Sequence, residues 1–217
     1  MRKMTMMLGL VGIFAGAARG QGYLDLNFES AYNLPGNPGN GVSVSVTNSL
    51  PGWAAYNGDN VLPDIYYVSN SLGDVGGPVR LEGGSLALSG DFSVGLYLAG
   101  SISQTGTVSA NAESLEFEAE SPSLSASGFY VILGGQTLSY SALSQGSGYT
   151  VYGANIPEGM GGQVEPLTFG ISDLGQALLD NIEFSTTGVP EPAEWALIGI
   201  GVVLFGFWRR RLTAKNA

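Results

Sequence analysis

The sequence predicts an all-β protein, a two-sheet β-sandwich, on three observations. Short runs alternate apolar and polar residues along most of the chain, turn-forming residues separate those runs, and no amphipathic period of about 11 residues or more competes as a helix. The composition agrees, with 34 Gly and 10 Pro among 217 residues and only 12% charged side chains.

The runs come in order. Leu24, Leu26 and Phe28 alternate with Asp25, Asn27 and Glu29, and Val42, Val44 and Val46 alternate with Ser43, Ser45 and Thr47. Phe92, Val94, Leu96 and Leu98 keep the same period, as do Leu115, Phe117 and Ala119 against Glu116, Glu118 and Glu120. Residues 129–133 and 136–140 flank Gly134-Gly135, a two-residue hairpin turn. Residues 150–154, 167–171 and 178–185 complete about ten strands, the number a two-sheet sandwich takes. Between them, 33–41, 51–64 and 70–84 read as long loops, where binding usually sits on such a scaffold. Gly83-Gly84 reads as a turn and not as a phosphate loop, because no helix follows it.

Charge is segregated. All 18 acidic residues lie between Asp25 and Glu194, where Arg80 is the lone base; the remaining Lys and Arg cluster at the two ends. So acidic a body repels phosphates and excludes nucleic acid as a partner. It leaves cations, polyamines and neutral glycans. The chain has no Cys and no His, which rules out disulfides, thiolate or imidazole metal sites, and any Ser-His-Asp triad.

The two ends read as processed segments. Met1-Arg2-Lys3, the apolar stretch Met6 to Phe14, and Ala15-Gly16-Ala17-Ala18-Arg19-Gly20 form the basic, apolar and small-residue regions of a secretory signal peptide, residues 1–20. Cleavage after Gly20 suits the pattern, and cleavage after Ala17 or Ala18 nearly as well. At the other end stand Val189, Pro190, Glu191 and Pro192, then an uncharged run from Trp195 to Trp208, then Arg209, Arg210 and Arg211. As a helix that run spans about 21 Å, against a bilayer core of about 30 Å. Trp at both ends, apolar residues on every face and an Arg cluster able to reach the cytoplasmic surface nevertheless argue for a single transmembrane helix. The body, residues 21–188, then lies outside and the Arg cluster inside, with 189–217 as a tail.

These tail residues resemble the PEP-CTERM protein-sorting signal, which also carries the label of ice-binding protein C-terminal domain. The resemblance covers Val189 to Leu212 and implies export in a Gram-negative bacterium and anchoring in the inner membrane. It also implies recognition of Pro190-Glu191-Pro192 by an exosortase-type sorting protease, then removal of the tail, often alongside exopolysaccharide production. Thr105-Gly106-Thr107 is isolated and not arrayed, so an ice-binding surface gains nothing from it. A second resemblance is carried by Asn27-Phe28-Glu29, Leu50-Pro51-Gly52-Trp53, Ile102-Ser103-Gln104-Thr105 and Leu179-Asp180-Asn181-Ile182-Glu183-Phe184. These look like galactose-binding-like jelly rolls, which implies non-catalytic polysaccharide binding, sometimes with a structural Ca²⁺.

Two residue groups could carry chemistry. Glu116, Glu118 and Glu120 share one strand face about 7 Å apart, as a Ca²⁺ site or a carboxylate pair for glycan hydrolysis would. A solvated outer face that also discourages edge pairing is the plainer account. Asp59, Asp64 and Asp74 with Asn57, Asn60 and Asn70 put oxygen ligands in the central loops, but no Ca²⁺-loop spacing organises them. Trp53, Tyr56, Tyr66 and Tyr67 read either as sugar-stacking aromatics or as core, with core favoured for Trp53. Arg80 reads as the partner of a carboxylate. In the jelly-roll resemblance Asp180, opening the last strand, makes structural hydrogen bonds. The function these readings support is an exported surface or matrix protein whose body binds polysaccharide without catalysis and needs no cofactor. A carboxylate-based glycan hydrolase or lyase, and a purely structural adhesin, are the alternatives.

Overall fold

The computed structural model describes residues 22–36, 41–69, 76–120, 128–172 and 174–190. The strands in chain order are β1 (Val42–Ser45), β2 (Ala54–Asn57), β3 (Asn60–Leu62), β4 (Asp64–Val68), β5 (Val79–Gly83), β6 (Phe92–Tyr97) and β7 (Gly100–Thr107). They continue as β8 (Ser114–Glu120), β9 (Phe129–Leu133), β10 (Gln136–Thr137), β11 (Tyr140–Gln145), β12 (Thr150–Asn155), β13 (Val164–Ile171) and β14 (Gln176–Ser185). Helix among the described residues is limited to one turn, α1 (Val46–Ser49), and a 3-10 turn at Gly84–Leu86.

The strands form two sheets. An eight-stranded sheet runs β1-β4-β5-β6-β14-β8-β12-β11, and a six-stranded sheet runs β10-β9-β13-β7-β2-β3. Neighbours pair antiparallel except β4 with β5. Each strand presents alternate residues inward. In the larger sheet Leu81, Val94, Leu179 and Ala119 fall in one cross-strand row. In the smaller, Ala55, Ile102, Phe169 and Val131 do the same. All eight are buried, each large one contributing about 1.5–3 kcal/mol on leaving water.

Aromatic rings fill the space between. Phe117 lies 5.4 Å from Phe169, 5.6 Å from Phe129, and 5.8 Å from both Tyr140 and Tyr152. Towards β2, Trp53 packs 5.8 Å from Phe28 and 6.5 Å from Phe169, and its indole N–H donates to the Asp25 carbonyl at 3.1 Å. Trp53 is therefore core, as its sequence context favoured.

The structure corrects several expectations. Residues 24–28 are not a strand: Asp25 and Phe28 have positive φ (48° and 58°). The Asp25 carboxylate accepts from Ser30 N at 2.9 Å, a local turn bond that competes with strand pairing and swings Phe28 into the core. The alternation at Val42 to Val46 stops at Ser45, where α1 begins. The supposed loop 51–64 holds the β2–β3 hairpin, and 70–84 holds β5. The hairpin at Gly134-Gly135 is present, both residues taking positive φ as its tight turn requires. Its second strand ends at Thr137, because Tyr140 opens β11 in the opposite sheet while its hydroxyl still donates to Phe129 O at 3.2 Å.

Candidate functional site

The outer face of the larger sheet carries a row of polar residues over four adjacent strands. Glu82 on β5 stands opposite Ser93 on β6, and Asp180 on β14 stands opposite Glu118 on β8. Ser93 Oγ joins the halves by donating to Asp180 Oδ2 at 2.8 Å. The segment between β5 and β6 folds over this row: Ser89 N donates to Asp180 Oδ2 at 3.2 Å and Leu88 N donates to Ser93 Oγ at 2.7 Å. Asp180 Oδ1 accepts from Asn181 N at 2.7 Å. The result is a carboxylate only 1% exposed with both oxygens engaged. Burial lifts its pKa to about 6, against the lowering by Ser93, Asn181 and Ser89, and the charge of Glu118 adds to the rise.

Glu82, 3% exposed, is satisfied differently. The Tyr97 hydroxyl donates to Glu82 Oε1 at 3.0 Å, and the Arg80 guanidinium lies 4.2 Å from the Tyr97 ring centre. Burial raises the Glu82 pKa, opposed by that hydrogen bond and by the charge of Arg80. Tyr97 reaches Glu82 by lying across Gly95, where a Cβ would sit 2.6 Å from the ring and 2.9 Å from Glu82 Oε1. The base expected to partner a carboxylate thus also stacks on a tyrosine, where its charge and ring contact act together.

Glu116, Glu118 and Glu120 do share the outer face. Glu116 and Glu118 are half-buried and Glu120 is exposed. β8 lies inside the sheet between β14 and β12, so these acids guard no edge. Glu118 and Asp180 are close enough, about 5 Å by their register, to resemble a hydrolytic carboxylate pair. Asp180 is nonetheless roofed by Ser89 and fully hydrogen-bonded, and the arrangement holds the 84–91 segment to the sheet. Asp180 makes the turn and inter-strand hydrogen bonds expected of it, though β14 begins four residues before it.

The central-loop residues do not converge. Asn57, Asp59 and Asn60 lie in or beside the β2–β3 turn and Asp64 starts β4, while Asn70 and Asp74 lie outside the described residues. Among the described residues no three acid side chains come together as a metal-ion site. Tyr67 is buried, Tyr56 half-buried and Tyr66 exposed.

A recess lies where the chain leaves the body. After β14 the backbone crosses the ends of β8 and β12 as a strap. Ser114 Oγ donates to Thr187 O at 2.7 Å, and Gly188 N donates to Glu113 Oε2 at 3.1 Å. Asn155 then grips Val189 from both sides of its peptide: Val189 N donates to Asn155 Oδ1 at 2.6 Å, and Asn155 Nδ2 donates to Val189 O at 3.0 Å. The side-chain amide here does what a paired strand would do. The Val189 side chain rests on Gly153, where a Cβ would meet it at 2.7 Å.

Two hollows flank the strap and share residues 155–158. One, of about 710 Å³, is lined by residues 137–141 with Val189 and Pro190; the other, of about 430 Å³, by Ala110, Glu113, Gly161 and Gly188 among others. The larger offers the hydroxyls of Thr137, Ser139 and Ser141 and the Asn155 amide beside Leu138 and Ile156, with Glu158 as its one acid. The strap and this cleft could not be read from the sequence, because Asn155 and Val189 are 34 residues apart. Of the tail motif, Val189 and Pro190 lie on the body. Glu191, Pro192, Trp195, Trp208, Arg209, Arg210 and Arg211 lie outside the described residues, as does the segment 1–20. Among the described residues no helix is long and apolar enough to cross a membrane.

No family model and no curated protein sequence matches the chain. Among solved structures, the K2 cleaved adhesin domain of Lys-gingipain (Kgp) is similar at 13% identity over 73% of this chain and 95% of that one, with a TM-score of 0.35. A likeness at that level carries no argument about the site, which rests on the chain's own residues.

Proposed function

We propose that this is an exported surface or matrix protein, held in the inner membrane by its tail with the body in the periplasm. An exosortase-type protease acting at Pro190-Glu191-Pro192 then releases it to the cell surface or beyond. The observation that supports this reading is the order of the tail: the described body ends on Val189 and Pro190, the first residue of Pro-Glu-Pro, and the rest of the motif, the apolar run and the Arg cluster follow in sequence. Replacing Glu191 by Ala leaves export intact and stops tail removal, read by the mass of the mature protein. Recovery of wild-type protein still carrying Arg209 to Ala217 from a strain with an active sorting protease sinks the proposal.

The body binds polysaccharide without turning it over. The cleft beside the strap supports this, because hydroxyl and amide groups next to apolar side chains suit a neutral sugar chain, and its single acid sets it apart from the carboxylate-rich sheet face. A glycan array probed with residues 21–190 tests it. Binding that survives Ser139→Trp and Asn155→Leu counts against this cleft, and sugar release lost in Glu118→Gln overturns the non-catalytic reading.

A further inference from the structure

We infer that the Asn155 grip on Val189 is a tether stop. It holds the end of the sandwich that carries the 137–141 and 155–158 segments against the bilayer surface in which the tail is anchored. The inference rests on the membrane reading of the tail proposed above. Its basis is the length of chain left between the grip and the apolar run. Only Pro190-Glu191-Pro192-Ala193-Glu194 separate Val189 from Trp195, and six peptide steps span at most about 22 Å even fully extended. Were the strap free from Ser185 onward, the reach would grow to about 36 Å, enough for the body to turn away from the surface.

The grip prevents that. Thr187, Gly188 and Val189 are each bonded to a body side chain, from Ser114, Glu113 and Asn155 in turn. The last anchored residue, Val189, is also seated on Gly153 beside Leu143. The chain therefore leaves the body at one fixed point, on the rim of the 710 Å³ cleft. The face around that point is turned to the lipid headgroups while the tail is intact. The cleft is shaded in the tethered protein and becomes open to a polysaccharide on release.

The absence of cysteine makes the test direct. Full-length protein is reconstituted in phosphatidylethanolamine–phosphatidylglycerol vesicles with one fluorophore, placed by Ser139→Cys beside the cleft or by Ser147→Cys at the far tip of the β11–β12 hairpin. Both positions are exposed, and the length of β11 separates them by about 20 Å. A quencher on the lipid headgroup is expected to dim the label at 139 several-fold more than the label at 147. A Gly-Ser-Gly-Ser insertion after Pro190, which leaves the body untouched, removes most of that difference, and Asn155→Ala, which frees Val189 while Thr187 and Gly188 stay bonded, reduces it by less. Equal quenching at the two positions in vesicle-bound wild-type protein, or a difference that neither change reduces, overturns the inference while leaving the membrane reading intact. Failure of the protein to float with the vesicles overturns the membrane reading and the inference together.

Discussion

Asp180 and Glu118 stand opposite each other on neighbouring strands, yet one is sealed beneath a loop with every oxygen bonded and the other is half-buried with its Oε2 shut off from solvent and unbonded. The sealed one bears the cost of burial, which places its pKa at about 6.

That value fixes the sign of a pH effect. A carboxyl whose folded pKa lies above its unfolded value binds its proton more tightly in the native state. Its contribution therefore favours folding below the unfolded pKa, near 3.9, and is lost as pH rises through about 6. Glu82, also raised by burial, acts in the same direction. The melting temperature of residues 21–190 is expected to rise as pH is lowered from about 7.5 to about 5, and Asp180→Asn to flatten that rise. A melting temperature that falls over this range contradicts the assignment.

Phe117 is the centre of the aromatic core, fully buried and touching four rings from four strands. Phe117→Ala should cost about 3–5 kcal/mol in urea denaturation. A loss under about 1 kcal/mol would mean that the two sheets close over the gap.

Gly95 tests the packing of the outer face. Adding one methyl there drives Tyr97 off Glu82, so Gly95→Ala should destabilise the body by about 1–3 kcal/mol. Ser139→Ala, an exposed change nearby in size, should shift stability by less than about 0.5 kcal/mol. Equal melting temperatures for the two variants would show that Tyr97 moves freely.

The acid excess of the body predicts a salt effect. Screening repulsion among its carboxylates with NaCl should raise the melting temperature of residues 21–190. Indifference to salt would show the acids to be mutually compensated or too dispersed to matter.

Strands that bury one face under the other sheet were legible, and 92–97, 114–120 and 150–155 appear where alternation put them. β2 to β5 were not, because Pro51, Gly52, Gly58 and Pro63 punctuate strands of three to five residues, too short for a period to show. Residues 24–28 misled for the opposite reason, keeping perfect alternation while two positive φ angles turned the chain. Asp180 was recognisable from its Leu-Asp-Asn-Ile setting. Asn155 was not, since an amide that grips a backbone far along the chain leaves no local pattern.

β14, the last strand among the described residues, lies between β6 and β8 in the middle of the larger sheet. The ribosome thus makes the keystone last. A chain stopped before Gln176 has β6 and β8 with facing rows of unfilled peptide groups, and it should aggregate or be degraded rather than linger as a half-built fold. Native structure must wait until β14 has been made. That delay suits a protein proposed to thread a translocation channel as an open chain and to acquire its shape only on the far side.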